Sequence, residues 1–165
     1  DIFERISSRG LTPGFQQLKA EIIPADMIVA KLLDVDTGSD VLNIHKLFTA
    51  NESPIIYFEN YIPRRVFGNC LSDEQAIEPG ISEPFFTFYR EICKHPVKYL
   101  TSIIQPELSQ NISCAGALGL KSNTDTILKI EDIGFDKNDL PVFYSIEYLV
   151  KEASSLHVIR QVETS

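Results

Sequence analysis

Glu59 is the first residue of this chain whose surroundings ask for a chemical explanation. Ile55, Tyr57 and Tyr61 share its face in an alternating run, and a carboxylate among aromatics is costly to bury unless a partner or a ligand meets it. Lys46 poses the same question on the preceding run, where Leu42, Ile44 and Phe48 share its face while Asn43 and His45 lie opposite. Two such charges suit the binding of a small polar molecule, or a sheet face partly open to water, and alternation leaves both readings open. Catalysis has less support. His45, His95 and His157 lack carboxylates at motif spacing, and no serine lies in a nucleophile motif, so neither an acid–base pair nor an activated nucleophile is visible. Cys70, Cys93 and Cys114 are odd in number and lack zinc-knuckle spacing, so free buried thiols are expected, with no metal or cofactor site.

The elements that must carry these side chains are mostly strands. Residues 126–150 read as a hairpin: Val142, Tyr144, Ile146, Tyr148 and Val150 point one way, Ser145, Glu147 and Lys151 the other, and Asp136 to Asp139 supply the turn. A similar unit occupies residues 40–63. There Val41, Leu42, Ile44 and Leu47 correspond to Ile127, Leu128, Ile130 and Ile133, and Pro54-Ile55 to Pro141-Val142, so the chain reads as a diverged duplication. Each hairpin is preceded by a strand and a helix that starts near a proline. In the first half these are residues 15–23 and a helix from Pro24 to Leu33 with Asp26 in its first turn. In the second they are residues 97–104 and a helix from Pro106 through Leu118, closed by Gly119.

An N-terminal helix over residues 1–9 stops at Gly10, and a short helix is expected over residues 72–77. Residues 83–94 predict a helix whose stripe, Phe85, Phe88, Tyr89 and Ile92, has core spacing. Residues 156–162 read as a last strand. The expected product is one α+β domain over residues 1–165, an antiparallel sheet with flanking helices and a ligand site where the halves meet.

With 165 residues and 44% hydrophobic content the chain can bury a core without staples. A net charge of -8 opposes a direct grip on a phosphate backbone. Its apolar runs are too short to span a membrane, and the first residues show no signal-peptide pattern, so a cytoplasmic protein is expected.

The two hairpins, the Phe-Tyr helix and the N-terminal helix ending in Arg9-Gly10 together resemble the UTRA domain, the effector-binding half of GntR-type transcription regulators of the HutC subfamily. The resemblance is carried by Val41 to Pro63 and Ile127 to Lys151. It implies a chorismate-lyase-like fold, a homodimer, and a small metabolite bound between the halves. Operator DNA would be gripped only by a preceding winged helix-turn-helix domain, whose absence here would account for the abrupt start and the acidic charge.

For the site, the resemblance points to Lys46, Glu59, Thr87, Tyr89 and Tyr148. Thr87 and Tyr89 match the pair near the start of the middle helix, Glu59 the acid that contacts sugar hydroxyls, and Tyr148 an aromatic on the closing strand. Of two arginines that hold phosphate in sugar-phosphate-binding members, one position is Lys46 and the other Phe48. Asp1 and Phe3 replace the hydroxyl residues of the first helix, and Leu149 replaces a closing arginine. Lysine does not reproduce a guanidinium fork, so the effector is left among sugar phosphates, amino sugars and carboxylate-bearing metabolites. A lyase on the same fold and a dimerisation module with a degenerate pocket are the competing readings.

Overall fold

The structure is a computed structural model that describes residues 2–153; the strand expected at residues 156–162 lies outside them. Six strands, β1 (Pro13–Pro24), β2 (Asp40–Ala50), β3 (Ser53–Pro63), β4 (Tyr99–Leu108), β5 (Thr126–Phe135) and β6 (Pro141–Leu149), form one sheet in the order β1-β2-β3-β6-β5-β4. Every neighbouring pair is antiparallel. Each half of the chain thus supplies three adjacent strands, and the halves join at the β3–β6 seam, where Tyr57 opposes Tyr148 and Tyr61 opposes Tyr144. The α+β fold and its two-part order follow the sequence pattern.

The hairpin turns are built from the residues that tolerate them. Asn51 and Glu52 take φ of 47 and 67 between β2 and β3, the left-handed pair that a two-residue hairpin requires. Asn51 also ties the turn to the start of β1, its Oδ1 accepting from the Thr12 N–H at 2.8 Å. Between β5 and β6 the Asp136 carboxylate accepts from the N–H groups of Asn138 and Leu140, a side chain standing in for a backbone turn.

Both sheet faces are covered, by different means. On the back, α2 (Met27–Leu33) packs Val29, Ala30 and Leu33 into a cluster with Val41 and Tyr144. Its N-cap is Asp26, whose carboxylate accepts from the Ile28 and Val29 N–H groups. Pro24 therefore ends β1 instead of opening the helix, a correction that follows from Asp being the stronger cap. On the front lie α1 (Ile2–Ser7), α3 (Arg64–Phe67), α4 (Asp73–Ala76) and α5 (Phe85–Thr87). Val66 and Phe67 of α3, Ala76 of α4, and Phe88 and Tyr89 just after α5 cover Leu42, Ile44, Ile62 and Phe143.

Two expected helices are corrected. Residues 83–94 hold only α5 and a five-residue π-helix, Phe88–Ile92, closed by the Cys93 N–H to the Phe88 carbonyl. The aromatic stripe is core as its spacing implied, with Phe88 and Tyr89 buried. Residues 106–118 form no long helix. Pro106 stays in β4, and a 3-10 turn follows at Ser109–Asn111. Because β4 is a sheet edge, Pro106 can lack an N–H there without breaking a ladder on both sides. The duplication is thus carried by the strands and not by the helices. Cys70 is exposed, unlike the buried Cys93 and Cys114, though all three are free.

Candidate functional site

Cross-strand register sets the floor of a front-face cavity. One row runs Ile44, Asn60, Ser145, Asp132 and Ser102 across β2, β3, β6, β5 and β4; the next runs Lys46, Phe58, Glu147, Ile130 and Ile104. Directly opposed residues share a face. Phe58, Asp132, Ser145 and Glu147 therefore look into the same space, a cavity of about 340 Å³ astride the β3–β6 seam. Ile2 and Arg5 of α1, and Glu83 to Thr87, close it from above, with Phe48, Leu100 and Phe143 at its sides. Gly134 makes room for one of these walls: it opposes Phe143, and a Cβ at that position would stand 2.3 Å from the Phe143 ring.

The walls are largely aromatic and the polar groups are mostly acids. Glu147 is half-buried in the floor and faces Asp132 and Arg5, yet its carboxylate has no hydrogen bond or ion pair among the described residues. Burial, reinforced by the charge of Asp132 and opposed by Arg5, pushes its pKa up to about 7. Asp132 is also raised by burial, with hydrogen bonding from Ser102 acting against it. Its Oδ1 is buried and unpaired, as is Asn60 Oδ1 two positions along the same row.

Lys46 is fully buried and its ammonium is bonded to the Glu83 carboxylate. Burial lowers its pKa, and the charge and hydrogen bond of Glu83 oppose that shift. Its Nζ also stands 5.9 Å and 5.7 Å from the Phe15 and Phe58 ring centroids, an arrangement that favours the cation. The pair fixes Glu83 at the cavity wall and leaves Arg5, exposed on α1, as the cation that lines the space.

The five residues singled out from the sequence do not meet in one place. Thr87 is on the cavity wall, and Lys46 reaches it through Glu83. Tyr89 is fully buried beside Phe85, Phe88 and Phe143, and its hydroxyl accepts from Asn60 Nδ2 at 2.9 Å. Glu59 and Tyr148 project from the back. Glu59 accepts from the Tyr61 hydroxyl at 3.3 Å, and burial raises its pKa against the pull of that bond, Lys19 and Lys129. Tyr148 packs 6.4 Å from the Tyr57 ring.

Sequence reasoning passed over Arg5, Asp132 and Glu147. The signal was present for Glu147: alternation set it with Ser145 opposite the Tyr-rich face, and a one-residue step along a strand exchanges the faces.

A family model described as the UTRA domain matches residues 8–154. YurK, an HTH-type transcriptional regulator of Bacillus subtilis (strain 168), is 24% identical over 146 residues, which cover 87% of this chain and 56% of YurK. The chain thus spans little more than half the length of that relative. The crystal structure of PhnF from Mycobacterium smegmatis matches with a TM-score of 0.78 at 16% identity, covering 99% of this chain and 69% of that one. A GntR-family transcriptional regulator from Enterococcus faecalis V583 matches at 0.75 and 15%, covering 89% and 100%. The C-terminal domain of YurK itself matches at 0.71 and 19%, covering 83% and 89%. These structures share the fold, and the family model extends across nearly all of the chain that the sheet and its covers occupy: the chain belongs to the UTRA domain family.

Proposed function

We propose that this chain is the ligand-sensing part of a bacterial GntR-type transcription regulator of the HutC subfamily, working in the cytoplasm as a homodimer. The observation that carries the reading is the front cavity, because it straddles the seam between the two halves and is walled by elements from both. A ligand there touches α1, the 83–87 segment and β6 together. Its binding energy can therefore favour one placement of α1 and the 83–87 segment, and with it one arrangement of the dimer, which is what an effector must do to shift a population. Operator DNA would be bound by a winged helix-turn-helix domain N-terminal to residue 1, in keeping with the acidic charge of this part.

The contact residues of this reading are Arg5, Thr87, Asp132, Ser145 and Glu147, with Lys46 setting Glu83. Tyr89 serves the core, and Glu59 and Tyr148 serve the opposite face. A binding role is favoured over catalysis because neither a cysteine nor a histidine lines the cavity beside its carboxylates. The test is operator affinity of the full-length regulator with and without a compound that the domain binds. Equal affinity in both conditions, for every such compound, would sink the proposal.

A further inference from the structure

We infer that the effector carries a protonated nitrogen with N–H donors, a primary ammonium, amidinium or guanidinium, seated between Glu147 and Asp132 on the cavity floor. This rests on the reading of the front cavity as the effector site. Three kinds of observation lead to it.

The first is a shortage of donors. The cavity floor and the layer just beneath it hold the half-buried Glu147 carboxylate and the fully buried Asp132 Oδ1 and Asn60 Oδ1, all acceptors, and none has a hydrogen-bond donor among the described residues. Buried polar atoms are normally paired, and an unpaired one calls for an explanation. A ligand with several N–H groups satisfies acceptors, whereas a phosphate or carboxylate brings only more of them.

Charge gives the same answer. Lys46 is cancelled by Glu83, which leaves Glu147 and Asp132 against Arg5 alone, and Arg5 sits exposed at the rim. An anion would have to enter past one guanidinium and settle against two carboxyl groups. A metal ion does not fit the floor either: the described residues contain no cluster of three or more His, Cys, Asp or Glu side chains able to hold one.

Shape completes the argument. Phe48, Phe58, Phe85, Phe86 and Phe143 surround the floor, and aromatic faces attract a desolvated cation and accept the apolar body behind it. Arg5 at the rim can then meet a carboxylate at the far end of a zwitterion, although the floor does not require one.

The experiment is calorimetric titration and thermal melting of the domain with two matched series. One is phenethylamine, 2-phenylethanol and 3-phenylpropanoate; the other is glucosamine, glucose and glucose 6-phosphate. In at least one series the cationic member is expected to bind on the order of 10- to 100-fold more tightly than its neutral and anionic partners, the worth of one charged hydrogen-bonded contact. Glu147→Gln should remove that advantage while the variant still melts cooperatively, and Glu131→Gln on the back should leave it intact. For phenethylamine, whose amine stays protonated well above neutrality, affinity should also rise with pH up to about 7 and then level off, because the cation needs Glu147 ionised. The other charged groups facing the floor, Asp132 on β5, Arg5 on α1 and the Glu83–Lys46 pair, are present in both proteins, so the Glu147→Gln profile reads them alone.

Tighter binding of an anionic or neutral member, blocked by Thr87→Trp, overturns the inference and leaves the cavity as the effector site. Cation binding insensitive to Glu147→Gln overturns it as well. Failure of all six compounds to bind counts against both the inference and the site.

Discussion

The two faces of the central sheet carry the same kinds of side chain and treat them in opposite ways. On the back, acids and aromatics satisfy one another: the Tyr144 hydroxyl donates to Glu131 at 2.6 Å, Lys129 pairs with Glu131 at 3.0 Å, Tyr61 donates to Glu59, and His45 bridges Asn43 and Tyr57 at 2.9 and 2.7 Å. Tyr61 stacks on Tyr144 with centroids 5.8 Å apart. On the front, Glu147 and one oxygen of Asp132 have no hydrogen-bond donor among the described residues. A paired acid stabilises a fold, and an unpaired buried one is a cost that persists where a ligand removes it. What separates the two faces is therefore partner supply, not composition.

The largest effect should come from breaking the buried ion pair at the cavity wall. Lys46→Met leaves Glu83 at the cavity wall without its buried cation. Removing one partner of such a pair costs about 3–5 kcal/mol, to be read as a loss in urea midpoint. Combining it with Glu83→Gln should recover most of the loss. A double variant as unstable as the single one would show that the lysine stem, and not the ion pair, carries the stability.

Glu147→Gln should act with the opposite sign. The Glu147 carboxyl is raised in the fold from 4.5 to about 7, so the folded state holds its proton more tightly than the unfolded chain does. The stability this represents is complete below about pH 4.5 and is lost as pH rises through 7. Substitution by Gln removes the slope. The variant should match wild type near pH 4 and exceed it at pH 8 by roughly 3–4 kcal/mol, at about 1.4 kcal/mol per unit of pKa. A parallel pair of melting curves across that range would mean that the carboxylate is already compensated.

Much of this fold was legible because period-2 alternation and prolines mark strands whatever covers them. Pro54 and Pro141 open equivalent strands, and Tyr57 and Tyr61 pair with Tyr148 and Tyr144 across the seam as a duplication requires. Alternation assigns side chains to a common face, but it does not say which face will hold a cavity when helices cover both. Alternation singles out Glu59, and the family resemblance adds Tyr148, yet both face away from the front cavity, whereas Glu147 alternates onto the side opposite the tyrosines. Arg5 and Thr87 meet Glu147 only after the chain has folded across more than 50 residues between each, a closure no local pattern encodes. Pro106 misled in the other direction, since an edge strand accepts a proline that a central strand would reject.

Gly134→Ala tests whether the front depends on close packing. The added Cβ would meet the Phe143 ring at 2.3 Å, and that ring also packs against Phe85 and Tyr89 with centroids 4.9 and 5.1 Å away. Overpacking of this kind costs about 1–3 kcal/mol. Phe143 should be displaced toward the cavity, so ligand affinity is expected to fall together with the melting temperature. A melting temperature that drops while affinity holds would place the adjustment in the core below.

The smallest effect sharpens the contrast most. Glu131→Gln removes a back-face acid whose pKa is lowered: burial works to raise it, but the Tyr144 hydroxyl and Lys129, by hydrogen bond and charge, outweigh that. A depressed carboxyl contributes stability above its unfolded value and loses it as pH falls through the folded one. The variant should therefore be less stable than wild type at pH 7, by about 1 kcal/mol for a partly exposed charged contact, and the gap should close at pH 3. Front and back acids would then respond to the same Glu-to-Gln change with opposite signs and opposite pH dependence. If Glu131→Gln and Glu147→Gln instead moved stability in the same direction at pH 8, both faces would be structural, and the acids of the cavity floor would no longer single it out as a candidate site.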